Sequence, residues 1–362
     1  MRLPEPPTVV LKAALRARRR LLDAVDRGVP AEVALIDLSW GLQRTAVAGA
    51  LVTSGLADAL GERRRTPAEL AAELGLDPDV TRRVLGAAEV ARLLEWDGDG
   101  QARLTRTGAP LRRDHPASVA SWMATQASPP VIRAYENLHV QLREGAEPSG
   151  IRRATDGSLW DYYTAHPDDG ARFGEAMREL TRIDLAALAG GYPWPEEGVL
   201  CDVAGGIGTL LAAILERRPR LRGVLVDDPG VLGEAEGFLR SRGMADRIER
   251  RAGDLFGEID ASADVYVMKW ILHDWSDRTC REILACVRAT APAGAKVVAI
   301  DQHLEPHRPS AVASIADVHM MAVCEGGRER NPQQVQALMR DAGWSPGGVH
   351  HVGLHMLVEG LA

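Results

Sequence analysis

The 362 residues carry a net charge of −7 and a pI near 5.9, with 46% apolar and 26% charged side chains. That balance fits a globular chain of one to three domains with ample core. It excludes the basic excess of a general nucleic-acid binder, and no apolar run reaches the ~18 residues of a membrane span. Cys201, Cys280, Cys286 and Cys324 form no CxxC pair and no zinc spacing, which fits reduced thiols in a cytoplasmic protein. The start, MRLPEPPTVVLKAALRARRRLL, lacks the apolar core and small-residue cleavage site of a secretory signal. Its Arg16, Arg18, Arg19 and Arg20 read as a solvated helix face or a dimer contact rather than a membrane-surface helix.

Residues 1–115 read as almost wholly helical. The stretch 31–61, AEVALIDLSWGLQRTAVAGALVTSGLADALG, spaces small residues closely and predicts a tightly packed helix hairpin. Thr66 caps a short helix, with Pro67 at its first position and Glu69 three residues on; Gly75 ends it. Asp77 or Pro78 opens the next, whose Arg82, Val84 and Leu85 face is expected to lie across the first. EWDGDGQARLTRTG follows as a hairpin turning at Asp97-Gly98-Asp99-Gly100. Helix, helix, hairpin is a winged-helix pattern. Such a module binds DNA, or serves as a scaffold for dimerisation; the acidic balance favours the scaffold. Residues 116–190 are again helical and gather Trp122, Tyr135, Trp160, Tyr163 and Phe173, with His139 and Met177 beside them, a concentration of aromatics that marks a pocket in a chain with only 4% Phe, Trp and Tyr.

From about residue 197 the pattern becomes alternating strand and helix. GVLCDV, RGVLVDD, DRIERRAGD, ADVYVM and AKVVAID read as strands, with helices between them, a helix NPQQVQALMRDAG and strands around 348–359 at the end. The fold class is therefore α/β, a Rossmann-like, doubly wound, mostly parallel sheet in 191–362, preceded by a mainly helical, winged-helix-like domain in 1–115 and a helical linker in 116–190. Ligands of such sheets bind at the carboxyl ends of the strands.

The first strand ends in DVAGGIG, with Asp202, Gly205, Gly206 and Gly208. It matches neither the dinucleotide fingerprint, whose third glycine falls on Leu211, nor a Walker loop. The second strand ends in VDDP, where Asp227, with Asp228 behind it, suits the two hydroxyls of a ribose. The third ends in GDLF, where Asp254 suits the exocyclic amine of an adenine with Leu255 or Phe256 against its face. One acid after each of three consecutive strands points to a nucleoside ligand.

The order DVAGGIG, VDDP, GDLF, MKWILHDWSD, GGRER resembles the class I S-adenosylmethionine-dependent O-methyltransferases, and more closely the plant caffeate/flavonoid-type enzymes and their actinobacterial polyketide-tailoring relatives. The likeness spans essentially the whole chain. It implies S-adenosyl-L-methionine as cofactor, with S-adenosyl-L-homocysteine as product. Gly205, Gly206 and Gly208 would lie under its methionine part, Asp227 at its ribose, Asp254 and Leu255 at its adenine, and Lys269 would be a further contact. It implies His273 as general base, flanked by Asp301 and Glu329. It also implies a homodimer through the N-terminal domain. Met177 falls where the family often places a cofactor- or substrate-facing methionine. Ala204 departs from the pattern, standing where the family begins its loop with a glycine.

The chemistry suits these residue types. A sulfonium is already activated, so the protein must position an acceptor hydroxyl and take its proton. A phenol ionises near pH 10 and a histidine near 6.5, so an imidazole within hydrogen-bond reach is a sensible base. A carboxylate on its other nitrogen fixes the tautomer, a role open to Asp301 or Glu329. The acceptor implied is a small aromatic or polyketide-derived molecule of secondary metabolism such as antibiotic biosynthesis, in a pocket drawn from Trp122, His139, Trp160, Phe173, Met177, Trp270 and Met320. His303 and His307 beside Asp301 and Glu305, and His350, His351 and His355 near the end, have no zinc spacing, and no metal is expected. Two other readings stay open: a family member that binds the cofactor but performs hydroxylation or cyclisation, and a winged-helix regulator sensing a metabolite.

Overall fold

A computed structural model describes residues 8–257, 259–304 and 311–362. The opening MRLPEPP, Glu305 and His307 lie outside them. The chain forms two interleaved compact units rather than three consecutive segments: a helical unit of 9–133 with 162–183, and a sheet unit of 134–161 with 184–362. The expected linker 116–190 is thus shared between both. Among the described residues no helix is long and apolar enough to cross a membrane.

In the helical unit the winged-helix pattern forms as spaced in the sequence. Helix Pro67–Leu74 carries a capping box between Thr66 and Glu69 and ends on Gly75 at φ +67. Asp77 caps helix Pro78–Val90 by accepting from the Val80 amide at 2.8 Å. Leu85 of that helix is fully buried, whereas Arg82 is exposed and paired with Asp79, so the expected Arg82 contact across the helices does not form. Strands β1 (Leu94–Trp96) and β2 (Ala102–Leu104) pair antiparallel around Asp97, whose carboxylate accepts from the Asp99 and Gln101 amides. The helix hairpin expected at 31–61 is corrected. Helix Ala31–Ser39 buries nothing of its own chain. The small residues instead serve helix Gly41–Thr53, where a Cβ on Gly49 would collide with Ala127, next to helix Ala120–Gln126.

Among the described residues the sheet unit holds seven strands: β3 (Glu197–Val203), β4 (Arg220–Asp227), β5 (Ile248–Ala252), β6 (Val265–Lys269), β7 (Lys296–Gln302), β8 (Ser345–Val352) and β9 (His355–Leu361). Their order is β5-β4-β3-β6-β7-β9-β8. The first five run parallel, and β9 lies antiparallel to β7 and β8. Alternation along each strand splits the core. Leu200, Leu225, Val267, Val298 and Ile300 face one layer with helices Thr209–Glu216 and Pro229–Ser241. Cys201, Val203, Tyr266, Met268 and Ala299 face the other with helices Asp277–Thr290 and Pro332–Asp341. Strands buried on both faces read as continuous apolar runs, as VYVM does. A further helix, Ala311–Val323, has no counterpart in the sequence reading, because AVASIADVHMMAV is apolar without a clear helical period. The strand order reverses between β3 and β6, so their carboxyl ends frame a switch-point crevice.

The wing depends on close backbone approach. A Cβ on Gly108 would collide with the Leu93 carbonyl, while one on Gly98 meets nothing within 4 Å. Gly108→Ala is expected to cost about 1–3 kcal/mol or more by forced displacement, and Gly98→Ala under about 0.5 kcal/mol. Urea unfolding followed by circular dichroism checks this; equal midpoints for the two variants would overturn it.

Candidate active site

At the carboxyl end of β3 the chain turns through Ala204 at φ +54, Gly206 at φ +63 and Gly208 at φ +81. A Cβ on Gly205 would collide with the Asp202 carboxylate, which lies buried under the loop. Asp227, ending β4, accepts from the Gly206 amide at 2.7 Å and the Asp228 amide at 2.8 Å. Each carboxylate oxygen keeps a lone pair for a further donor. Burial, and then the neighbouring Asp227, push Asp202 up to about 7, and burial also raises Asp227. Burial lowers Lys269, at the end of β6, to about 7 against the pull of Asp202, Asp184 and Asp301. Buried Asp202, half-buried Asp227 and the half-buried Lys269 ammonium form a site suited to a ligand bearing hydroxyls and positive charge. Around Gly206 nothing lies within 4 Å of where a side chain would start, so ligand atoms can approach the backbone. The loop therefore fits the cofactor implied by the sequence.

Asp254 is exposed and accepts from the Phe256 amide at 3.0 Å; Leu255 packs against the core. Phe256 is half exposed and meets Trp275 edge-on at 5.1 Å between ring centroids. Trp275 in turn stacks with Trp160 at 6.1 Å, and these two tryptophans help line a cavity of about 360 Å³. Its walls include Ser276, Arg278 and Thr279 but not His273.

His273 sits on a single turn, Leu272–Asp274, after β6. Its Nδ1 lies 2.9 Å from Glu329 Oε1, and its Nε2 lies 3.5 Å from Asp274 Oδ1. Asp301, at the end of β7, is buried and acts on the ring through its charge; one of its oxygens has no partner among the described residues. Of the two acids expected to flank the histidine, Glu329 alone makes the bond. Asp274, the next residue along the chain, stands at the other side of the ring, and the Cys324 thiol donates to it at 3.4 Å.

The turn is held from beneath by Arg330, which the sequence reading did not single out. Its buried guanidinium donates to the Leu272 carbonyl at 2.6 Å, the Trp275 carbonyl at 2.8 Å and the Asp277 carboxylate at 2.7 Å. The Arg328 amide donates to the His273 carbonyl at 2.8 Å, and the Glu329 amide donates to Asp317 at 2.8 Å. Gly327 permits this approach, since a Cβ there would press on Cys324 and on the Met320 and His273 carbonyls. Burial by itself would lower His273, but Asp274 and then Glu329 outweigh it and raise the ring to about 9. Burial raises Asp301 to about 7 despite the nearby imidazolium.

The expected pocket residues divide. Trp122, Phe173 and Met177 belong to the helical unit, where buried Glu179 accepts from the Ser121 and Trp122 amides and Phe173 stacks on Tyr163 at 4.8 Å. Trp160, Trp270 and Met320 belong to the sheet unit. Also there, His319 on the unforeseen helix bonds the Tyr135 hydroxyl at 2.7 Å, and burial followed by His273 lowers it to about 4. His139 is corrected: it is exposed, and its Nδ1 bonds the Glu136 carbonyl one turn back on its own chain. Among the described residues no group of three or more His, Cys, Asp or Glu could hold a metal. His350 faces Glu359, His351 packs on His303, and His355 bonds Asp184.

A sequence profile of the O-methyltransferase domain matches residues 135–345. The chain is 33% identical to the O-demethylpuromycin-O-methyltransferase of Streptomyces alboniger over 319 residues, covering 87% of this chain and 84% of that protein. It is similar to the solved mitomycin 7-O-methyltransferase MmcR, at 30% identity and a TM-score of 0.84, covering 91% of this chain and 97% of that one. It is also similar to NcsB1, an O-methyltransferase of neocarzinostatin biosynthesis solved with S-adenosyl-L-homocysteine and 1,4-dihydroxy-2-naphthoic acid. That match has 27% identity and a TM-score of 0.79, covering 91% of this chain and 98% of that one.

Ala204 occupies the left-handed region, which costs an L side chain about 1–2 kcal/mol. Glycine's greater freedom in the unfolded chain offsets about 0.5–1 kcal/mol of any relief. Ala204→Gly is therefore expected to raise the unfolding free energy by up to about 1 kcal/mol; a lowered urea midpoint would contradict the strain.

Proposed function

The chain belongs to the O-methyltransferase domain family and is an S-adenosylmethionine-dependent O-methyltransferase, and from that premise we propose that its acceptor is a hydroxyl of an aromatic or polyketide-derived small molecule, deprotonated by His273, in natural-product biosynthesis. The observation that carries this reading is the imidazole held between Glu329 and Asp274 at the carboxyl end of β6, beside the glycine loop of β3. The aromatic acceptor rests on the naphthoic acid bound by NcsB1 and on the relatives' roles in antibiotic biosynthesis.

S-adenosylmethionine supplies a methyl group on a sulfonium that leaves without protonation. The residues proposed to hold it are Asp202, Gly205, Gly206, Gly208, Asp227, Asp254, Leu255, Phe256 and Lys269. Asp227 offers carboxylate lone pairs to a ribose, and Asp254 offers them to an adenine amine. Glu329 on Nδ1 keeps the proton of neutral His273 on that nitrogen and leaves the Nε2 lone pair to take the acceptor's proton. Asp274 and Asp301 then stabilise the imidazolium that forms. Positioning of the acceptor contributes beside the base.

The sign of the pH dependence follows from these charges. A base works only when neutral, and the carboxylates favour the charged ring, so activity rises with pH through a value near 9 instead of 6.5. Glu329→Gln removes one of those charges and is expected to move the rising limb downward. His273→Gln is expected to lose about 10²–10⁴-fold in turnover while retaining cofactor binding. Label transfer from methyl-labelled S-adenosylmethionine to a panel of phenols, measured across pH, reads both; wild-type turnover in His273→Gln would remove the base assignment.

The protein is further proposed to work in the cytoplasm as a homodimer through its N-terminal helices, with no nucleic-acid partner. Leu21, Val25, Leu35, Ile36, Leu38 and Trp40 are exposed on helices Thr8–Arg27 and Ala31–Ser39 and the residue that follows them. An apolar face of this kind usually marks an interface. Sedimentation equilibrium is expected to return twice the 39.1 kDa chain mass, and Leu35→Arg with Leu38→Arg a monomer. A monomeric wild type at micromolar concentration would refute the dimer.

A further inference from the structure

Behind Lys269 lies a second cluster of polar groups for which the chemistry above has no use. Asp184, on helix Pro167–Gly191, accepts from His355 Nε2 at 2.9 Å. His355 opens β9, and its side chain is wholly buried, with Asp184 only 13% exposed. The His355 ring lies 5.6 Å from the Trp270 indole, tilted by 55°. Lys269 Nζ stands 3.0 Å from the centroid of the same indole. Trp270 itself is held at φ +58, and its amide donates to the Ile300 carbonyl at 2.9 Å. A bulky side chain in that region persists only where its surroundings over-determine it. Both His355 Nδ1 and Trp270 Nε1 are buried without a hydrogen-bond partner among the described residues. A buried polar histidine bonded to a carboxylate, with its second nitrogen left unsatisfied, is a costly choice for a core position that an apolar residue could fill.

We propose that Asp184 and His355 form a positioning pair for the cofactor side of the site. The carboxylate fixes the orientation of the imidazole. The imidazole braces the indole in its strained backbone conformation. The indole's face then holds the Lys269 ammonium at the carboxyl end of β6, where a cation over an aromatic ring is favoured. The Asp184 charge also reaches Lys269 directly, as do those of Asp202 and Asp301. This inference rests on the reading of Lys269 as a cofactor contact, on which the pair acts through Trp270.

The test measures S-adenosylhomocysteine binding by calorimetry and, separately, turnover at saturating S-adenosylmethionine. His355→Ala and Asp184→Ala are each expected to weaken binding about tenfold or more, the scale of a lost charge-assisted hydrogen bond. Turnover at saturation stays within about twofold, because the reacting groups are untouched. The double variant binds no more weakly than either single one, since both act through one interaction. His355→Gln, which keeps a donor for Asp184, restores most of the affinity and guards against a variant that merely fails to fold. Unchanged affinity in folded His355→Ala, with Lys269→Met weakened, overturns the pair alone. Unchanged affinity in Lys269→Met overturns the reading of Lys269, and the pair with it. A fall in saturated turnover without a fall in affinity also overturns the pair.

Discussion

One buried cation holds the site together. Arg330 is almost wholly enclosed, yet its guanidinium satisfies two backbone carbonyls of the His273 turn and the Asp277 carboxylate at the start of the next helix. A turn that leaves a sheet exposes carbonyls which nothing in the sheet can satisfy. Arginine supplies five donors in a fixed fork and stays charged, so one side chain closes that account where lysine could not. The neighbouring residue in GGRER points the other way and delivers Glu329 to the imidazole. The same short segment therefore shapes the turn and orients its histidine.

The electrostatics follow from that enclosure. Around His273 stand Glu329, Asp274 and Asp301, with Cys324 donating to Asp274. Burial raises Asp274 and Asp301 above the usual carboxylate range, while the charge of the imidazole pulls both back down. Across the switch point a second cluster stands: buried Asp202 feels both the Asp227 carboxylate and the Lys269 ammonium. One cluster is built to exchange a proton and the other to receive a ligand. They meet at the carboxyl ends of β3 and β6, where the strand order reverses.

Much of this was legible beforehand. The parallel strands, the capping box at Thr66 and the wing turn at Asp97 are local events, decided within a few residues by dihedral preference and side-chain hydrogen bonds. Apolar runs such as VYVM sit where they do because both faces of the sheet are covered. The helix hairpin at 31–61 was misread because small residues advertise close packing without naming the partner, and Gly49 chose Ala127. His139 was misread because an aromatic-rich segment does not say which side of each helix faces inward.

Strand–helix alternation by itself determined the α/β class, and the motif order, through the family it resembles, pointed to the cofactor type and singled out His273, Glu329 and Asp227. Only the tertiary structure decided which acid bonds the imidazole, that Arg330 underpins its turn, that Ala204 takes a left-handed conformation, and that Asp184 meets His355. These pairs are brought together across 56, 58 and 171 positions of chain. Contacts at such separations are set by how layers pack, and no local pattern of side chains encodes the partner.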